Sequence, residues 1–197
     1  MKGIRIASAL AVLALAATAA DAQTPMRVRG TITAIDGNML SVKARDGKDL
    51  KLNLADDVGV AVARAIKFED IKQGDYVGSA AMKQPDGTLV ALEVHYLPPQ
   101  APPGHTPWDG EPGSTMTNAN VEAMVTAAGK RELTLKYKDG MQKILVPDGV
   151  PIVRAVPGNR SDLKVGEYVF AVAMVAPDGK ISVPRLQVSK DGVKPPQ

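Results

Sequence analysis

Apolar and polar residues alternate with a period of two along most of the chain. Leu50, Leu52 and Leu54 alternate with Lys51 and Asn53, and the same pattern recurs in several other short runs. Such alternation is typical of β-strands that bury one face. Asp-Gly and Pro-Asp-Gly sequences separate the runs, and they favour tight hairpins because Gly tolerates positive φ. The pattern therefore predicts an all-β protein.

The chain contains two copies of one sequence pattern. Residues 70–77 resemble residues 162–169, which lie 92 positions later. A Pro-Asp-Gly turn at residues 85–87 matches another at residues 177–179 with the same spacing. Two further matches upstream, at a spacing of 93, keep the same order. Four matches in one order indicate an internal repeat.

Each copy is predicted to contain five strands with a helical turn after the third strand. In the first copy the turn is expected over residues 68–72, and Gly74 ends it. This order of elements is that of a small OB-like barrel. We therefore predict two tandem OB-like β-barrels, at residues 26–97 and 117–190. A Pro-rich linker at residues 98–116, with six Pro, joins them.

The first 22 residues have the pattern of a secretory signal peptide. Lys2 and Arg5 precede an uncharged run of 15 residues that is rich in Ala and Leu. Ala20 and Ala22 are small residues at the positions that a signal peptidase recognises, so cleavage after Ala22 is predicted. The run is short for a bilayer span, which needs about 20 apolar residues. We expect a periplasmic or secreted protein without an integral membrane span.

Composition and charge narrow the possible functions. The absence of Cys excludes disulfides, thiolate metal sites and a thiol nucleophile. The net charge of +3 falls to +2 when Lys2, Arg5 and Asp21 leave with the signal peptide. This small charge and the aromatic content of 4% argue against nucleic-acid binding. No nucleotide-binding fingerprint or Ser-His-Asp arrangement is recognisable, so no enzymatic activity is expected. A hydrolase with paired carboxylates is a weaker alternative.

The predicted linker holds distinctive side chains. Trp108 is the only Trp of the chain, and His105 lies three positions before it. A simple spacer does not need an indole, so we expect Trp108 and His105 to clamp the barrels and edge a contact surface between them. The function predicted from these features is a non-enzymatic periplasmic or secreted binding or scaffold protein. Its expected partner is an envelope protein or polysaccharide.

A soluble metal-handling accessory protein is the alternative function. Imidazole and thioether groups together suit a soft ion such as Cu(I), and imidazole also suits zinc. His105, Met116 and His95 are the candidate ligands for copper or zinc; without such a site, no cofactor is expected. The competing interpretation of His95 is a surface histidine beside Glu93. No symmetric His site is expected, because the second repeat has Gln187 at the matching position.

The linker and the flanking repeats resemble a known family. The sequence GHTPWD at residues 104–109 is followed by PGSTMTNA at residues 112–119. With the repeats, this is similar to uncharacterised secreted alphaproteobacterial proteins built from a β-barrel repeat of unknown function. The resemblance implies a secreted tandem-barrel protein without an established activity. Relatives are sometimes labelled metal-transporter permeases. A permease needs several apolar spans, so here the label would imply at most a soluble accessory protein.

Overall fold

A computed structural model describes residues 23–127 and 129–196. These residues form twelve β-strands and two single-turn 3-10 helices, which confirms the prediction of an all-β protein. The predicted signal peptide, residues 1–22, lies outside the described residues. Within the described ranges, no helix is long and apolar enough to cross a membrane.

The strands follow one another with short turns between most of them. Their bounds are β1 (Thr24–Asp36), β2 (Met39–Ala44), β3 (Asp49–Ala65), β4 (Tyr76–Lys83), β5 (Leu89–Tyr96), β6 (Gly104–Pro107), β7 (Ser114–Ala127), β8 (Lys130–Tyr137), β9 (Gly140–Leu145), β10 (Ile152–Pro157), β11 (Tyr168–Val175) and β12 (Ile181–Val188). The two 3-10 turns are Phe68–Asp70 and Arg160–Asp162. The first turn confirms the helical interruption expected after the third strand.

The strands form one continuous sheet that closes on itself twice. The first ring contains β1, β2, β3, β12 and β11, and parallel pairing of β12 with β3 completes it. The second ring contains β7, β8, β9, β5 and β4, and parallel pairing of β5 with β9 completes it. Strand β10 joins the rings because it pairs with β3 on one side and with β5 on the other.

Each ring takes strands from both repeats. The first ring combines strands one to three of the first repeat with strands four and five of the second repeat, and the second ring is the reverse. The pairings thus correct the prediction that residues 26–97 and residues 117–190 each close a barrel of their own. Periodicity identifies the strands and their buried faces. Periodicity does not identify which strand pairs with which, because both copies of a duplicated strand have equivalent edges.

β3 is longer than its counterpart in the second repeat. β3 runs for 17 residues, and its second half pairs antiparallel with β10. In the second repeat the corresponding stretch is divided into β9 and β10, where Pro147 and Pro151 stand at the positions of Ala55 and Gly59. Proline has no N–H to donate, so it interrupts the hydrogen-bond ladder between strands. The uninterrupted β3 carries the chain out of the first ring before β4 begins.

A local twofold axis passes through the β3–β10 pair. Ala63 pairs with Ala155, which is its own counterpart in the second repeat. The two rings also have matching shifts in strand register. The pairing of β1 with β2 shifts after Ile32, and the pairing of β7 with β8 shifts after Val121. The two rings therefore have the same arrangement of strands. In each ring, strands four and five come from the other repeat.

Each ring encloses its own apolar core. Val28, Leu40 and Leu52 of the first repeat pack with Val169 and Val188 of the second repeat in the first ring. The 3-10 turns also contribute. Phe68 and Ile71 are buried in the core of the second ring, and Leu163 is buried in that of the first. Both cores contain residues from both repeats, so neither repeat can bury its apolar faces alone.

The segment predicted as a linker, residues 98–116, is partly a strand. Strand β6 pairs antiparallel with β7, which itself begins inside the segment at Ser114. The Tyr76 hydroxyl also donates a hydrogen bond to the carbonyl oxygen of Ala101 at 2.7 Å. The segment is thus attached to the second ring and is not a free spacer, which corrects the predicted boundary.

The exchange predicts that a cut between the repeats leaves the protein assembled. A protease site inserted between Pro99 and Gln100 would divide the chain after β5, at exposed residues. We expect both fragments to elute together at the mass of the intact chain, because each ring needs strands from both. Denaturing electrophoresis is the control for complete cleavage. Two separately folded fragments would contradict the exchanged topology.

Candidate functional site

A cleft of about 1030 Å³ lies between the loop that follows β6 and residues 192–196. Strands β3, β5 and β10 contribute Ala65, Glu93 and Val153 to its lining. Since these strands form the junction between the rings, the cleft lies at that junction. Its surface is mainly aromatic, aliphatic and proline, and it includes charges of both signs.

Trp108 contributes an aromatic wall of the cleft. It lies in the loop of residues 108–113, here called the Trp108 loop, and it is half-buried. The indole folds back over Gly110, where an added Cβ would lie 2.2 Å from Cζ2 of Trp108. No side chain fits at that distance. Glycine at position 110 is thus necessary for the observed position of the indole.

Asp109 attaches the Trp108 loop to the first ring. Its carboxylate accepts a hydrogen bond from Arg29 at 2.9 Å and a weaker one from Arg27 at 3.4 Å, both on β1. The hydrogen bond and charge of Arg29 lower the pKa of Asp109 below its ordinary value of 3.8. Because β6 pairs with the second ring, the loop contacts both rings.

Tyr168 and residues 192–196, here called the 192–196 segment, form another wall. Pro195 and Pro196 are buried, whereas Gly192 and Lys194 are exposed. The Lys194 ammonium lies 5.2 Å from the centroid of the Tyr168 ring, which is cation–π distance. Burial raises the pKa of Tyr168, so its phenol is neutral at pH 7. This wall combines aromatic and proline surface with one cation.

Glu93 and His95 form a buried pair beside the cleft. His95 Nδ1 lies 3.2 Å from Glu93 Oε1, and the two residues are only 8% and 7% exposed. The ring of His95 occupies the space over Gly78, where an added Cβ would lie 2.7 Å from Nε2. The interpretation of His95 as a surface residue is therefore wrong. Without a side chain at position 78, the imidazole can pack against the sheet.

His105 does not belong to the described lining of the cleft. Its Nδ1 lies 2.8 Å from Thr117 Oγ1, and its ring stacks on Tyr137 with centroids 6.5 Å apart. Burial lowers the pKa of His105, so the imidazole is neutral at pH 7. Trp108 and His105 therefore do not share a surface as predicted. Trp108 lines the cleft, whereas His105 fastens β6 to the second ring.

The three candidate metal ligands are not brought to one point. His105 pairs with Thr117 across β6 and β7, so the next residue, Met116, faces the other side of the sheet. His95 lies on β5, where it is paired with Glu93. In the part of the chain that the structure describes, no group of three or more His, Cys, Asp or Glu is placed to hold a metal ion.

Sequence reasoning identified Trp108 but missed most of the other residues of the cleft. Tyr168 was visible only as part of the repeated motif Gly-x-Tyr-Val, which predicts a turn followed by a strand. Gly110 gave no signal, because its importance arises from the approach of the indole. The pair Pro195-Pro196 was the available signal for the 192–196 segment, as an apolar pair in a polar stretch.

The interpretation of the cleft rests on its geometry, because the comparisons with known proteins found no match. No family model matches the chain, and neither a curated protein nor a solved structure matches it. The resemblance to secreted tandem-barrel proteins stays a prediction.

Substituting Gly110→Ala should displace the indole of Trp108. The added methyl group overlaps the ring, so the side chain must leave its position at a cost of about 1–3 kcal/mol. We expect a changed emission maximum of the single Trp and a lower melting temperature. Gly59→Ala is the matched control, since its Cβ would meet no atom closer than 3.5 Å. An unchanged emission spectrum in the Gly110→Ala variant would show that the indole is not held in this way.

Acid should release the Trp108 loop from the first ring. Because the pKa of Asp109 is lowered on folding, the stabilisation from its ion pairs is complete above the ordinary value of 3.8. It is lost as the pH falls below that value towards the lowered pKa. We expect the emission of Trp108 to change over this acidic range. Asp109→Asn should show the acid-type emission already at pH 7, and identical pH profiles for the two proteins would contradict the anchoring role.

Proposed function

We propose that the chain is a non-enzymatic binding or scaffold protein of the bacterial envelope, acting in the periplasm or after secretion. The signal-peptide pattern supports this location. The observation that carries the proposal is the cleft between the Trp108 loop and the 192–196 segment. Its partner would be another envelope component that contacts Trp108 and Tyr168.

The size and surface of the cleft support binding. Its volume of about 1030 Å³ is at the upper end of the range of typical ligand sites, about 300–1000 Å³. Trp and Tyr are residues that contribute strongly to binding free energy, because they bury a large area with few rotatable bonds. Met82 and Val153 add aliphatic surface to the lining. The cleft can thus bury an apolar group of a partner.

The charges of the cleft favour a protein segment over a polyanion. Arg45 and Lys194 provide two positive charges in the lining, and Glu93 and Glu111 provide two negative charges. Glu93 is buried beside His95, whereas Glu111 is exposed and would repel a polyanionic polysaccharide. A peptide carries its own hydrogen-bonding groups and can present either sign. We therefore favour an envelope protein as the partner.

Affinity capture with cleft variants tests this proposal. The chain from residue 23 onwards would be immobilised and exposed to envelope extract, in parallel with Trp108→Ala and Met141→Ala. Met141 is 53% exposed on β9 and does not line the cleft, so its variant controls for loss of a large apolar side chain. We expect Trp108→Ala to retain about one fifth or less of a specifically captured protein, the loss typical of an aromatic contact residue. Equal capture by all three proteins would exclude the cleft as the contact surface.

A further inference from the structure

We propose that the first ring binds an extended acidic segment of a partner protein as an additional strand. The segment would pair with β1 along residues 26–29, here called the open edge of β1. This site is separate from the cleft and goes beyond the proposed function. The second ring shows how such a strand is bound, because β6 pairs with the equivalent edge there.

The open edge of β1 corresponds to the part of β7 that pairs with β6. The matching register shifts place Ile32 at the position of Val121, so residues 26–29 correspond to residues 115–118. β6 pairs antiparallel with residues 115–118. The two rings therefore differ at this edge, although their other strands have the same arrangement.

The open edge of β1 lacks a neighbouring strand in the part of the chain that the structure describes. There, β1 pairs with β11 over residues 24–31, but it pairs with β2 only from Gly30 onwards. An edge without a partner can accept a strand from another molecule, which is a common way of binding extended peptides.

A pocket of about 230 Å³ lies beside the open edge of β1. All four residues of the edge line it, together with Ala44 and Leu50. In the second ring, Tyr137 holds the position of Ala44, and the ring of His105 from β6 stacks on it. The first ring thus has open space where the second ring has a strand and a pair of stacked side chains.

The backbone of the open edge is oriented to pair with a further strand. Backbone groups of alternate residues in a β-strand point to opposite sides. The carbonyl oxygen of Arg29 accepts a hydrogen bond from the N–H of Arg45 on the side of β2, whereas the N–H of Ile32 donates to Glu167 on the side of β11. Arg27 lies two positions before Arg29, so its N–H and carbonyl point towards the open edge.

The side chains of the open edge predict the sequence of the added strand. Met26 and Val28 pack in the apolar core of the first ring, and Arg27 and Arg29 alternate with them on the outer face. A strand in the register of β6 would therefore place apolar residues opposite Met26 and Val28. Acidic residues would lie opposite the two Arg, where opposite charges stabilise the pairing of strands.

The surroundings of the open edge also favour an acidic segment. Arg45 and Lys48 add two positive charges to the lining of the pocket, and Asp46 adds one negative charge. Lys48 is paired with Asp46 at 2.8 Å, whereas Arg45 is exposed. The single carboxylate of Asp109 is shared by both Arg of the edge. The edge therefore keeps a positive charge that an acidic segment would complement.

A second copy of the chain fits this edge poorly. Antiparallel pairing of two open edges would place Arg27 and Arg29 of one copy opposite the same residues of the other, and like charges directly opposite are destabilising. The sequence position of β6 before β1 is held by residues 15–18, which the predicted cleavage after Ala22 would remove. The occupant is therefore a segment of a partner protein.

Peptide titration tests the inference. The probe is a fluorescein-labelled peptide with the sequence Gly-Glu-Val-Glu-Val-Gly, and the control peptide has Gln in place of both Glu. Binding is followed by fluorescence anisotropy with the chain from residue 23 onwards and with its variants Arg45→Glu and Lys138→Glu. Lys138 is exposed and holds the position of Arg45 in the second ring, where β6 occupies the edge. Its variant is therefore the matched control for the charge change.

We expect the Glu peptide to bind the unchanged chain and the Lys138→Glu variant saturably and equally. It should bind Arg45→Glu about fivefold more weakly, because an attraction becomes a repulsion. The Gln peptide should bind the unchanged chain about tenfold more weakly than the Glu peptide. Equal weakening by the two charge variants would contradict a site at the open edge.

Backbone pairing is tested separately at position 27. Arg27→Pro and Arg27→Ala remove the same charge, but only proline removes the N–H that points towards the open edge, and an edge strand tolerates it there. We expect the Pro variant to bind the Glu peptide about fivefold more weakly than the Ala variant. In the unchanged chain, the peptide should slow hydrogen exchange of the Arg27 amide, a measurement that does not depend on the folding of the Pro variant.

Three results would overturn the inference. The first is no saturable binding of the Glu peptide up to about 2 mM. The second is binding that leaves exchange of the Arg27 amide unchanged. The third is self-association of the chain that Arg27→Pro abolishes, because it would assign the edge to a second copy.

The outcome is distinguishable from that of the capture experiment. Arg45 lines both the cleft and the pocket, whereas Trp108 lines only the cleft. Trp108→Ala should therefore bind the Glu peptide as the unchanged chain does, and loss of peptide binding in this variant would place the peptide in the cleft and contradict the inference. Failure of the peptide alone leaves the proposed function in place.

Discussion

The antiparallel pairing of β3 with β10 is the contact on which the rest of this structure depends. It brings Ala63 against its own counterpart Ala155 and so relates the two rings by a twofold axis. Strands four and five of each repeat complete the ring of the other. Each core is then shared between distant parts of the sequence. Such non-local pairing makes folding of one half dependent on the presence of the other.

The cleft is a consequence of the same exchange. Its lining combines β3, β5 and β10, which meet at the junction of the rings, with the Trp108 loop and the 192–196 segment. The 192–196 segment follows β12, a strand of an exchanged pair, whereas the Trp108 loop follows β6. Asp109 reaches back to Arg29 in the first ring, although its loop follows a strand of the second. A tandem arrangement without exchange would place these elements differently, so the cleft depends on the exchanged topology.

The repeat, the strands and the helical turn were predictable because each leaves a local pattern. The alternation around Leu52 and the Asp-Gly turns act over a few residues, and the structure has strands and turns there. The choice of partner strand was not predictable, since Val169 and its counterpart Val77 suit either ring equally. The burial of His95 depends on the missing side chain of Gly78 on the neighbouring strand. An effect that depends on the close approach of two residues on neighbouring strands can be recognised only when the strand pairing is known.

An engineered disulfide between β1 and β11 tests the exchanged topology most directly. Arg27 pairs with Val172 in the structure, both are exposed, and the chain has no Cys of its own. Neighbouring residues on antiparallel strands lie within the Cα separation that a disulfide requires. The account predicts that Arg27→Cys, Val172→Cys oxidises within one molecule and migrates faster on a non-reducing gel, whereas either single variant does not. Failure to oxidise, or a bond formed only between two molecules, would contradict it.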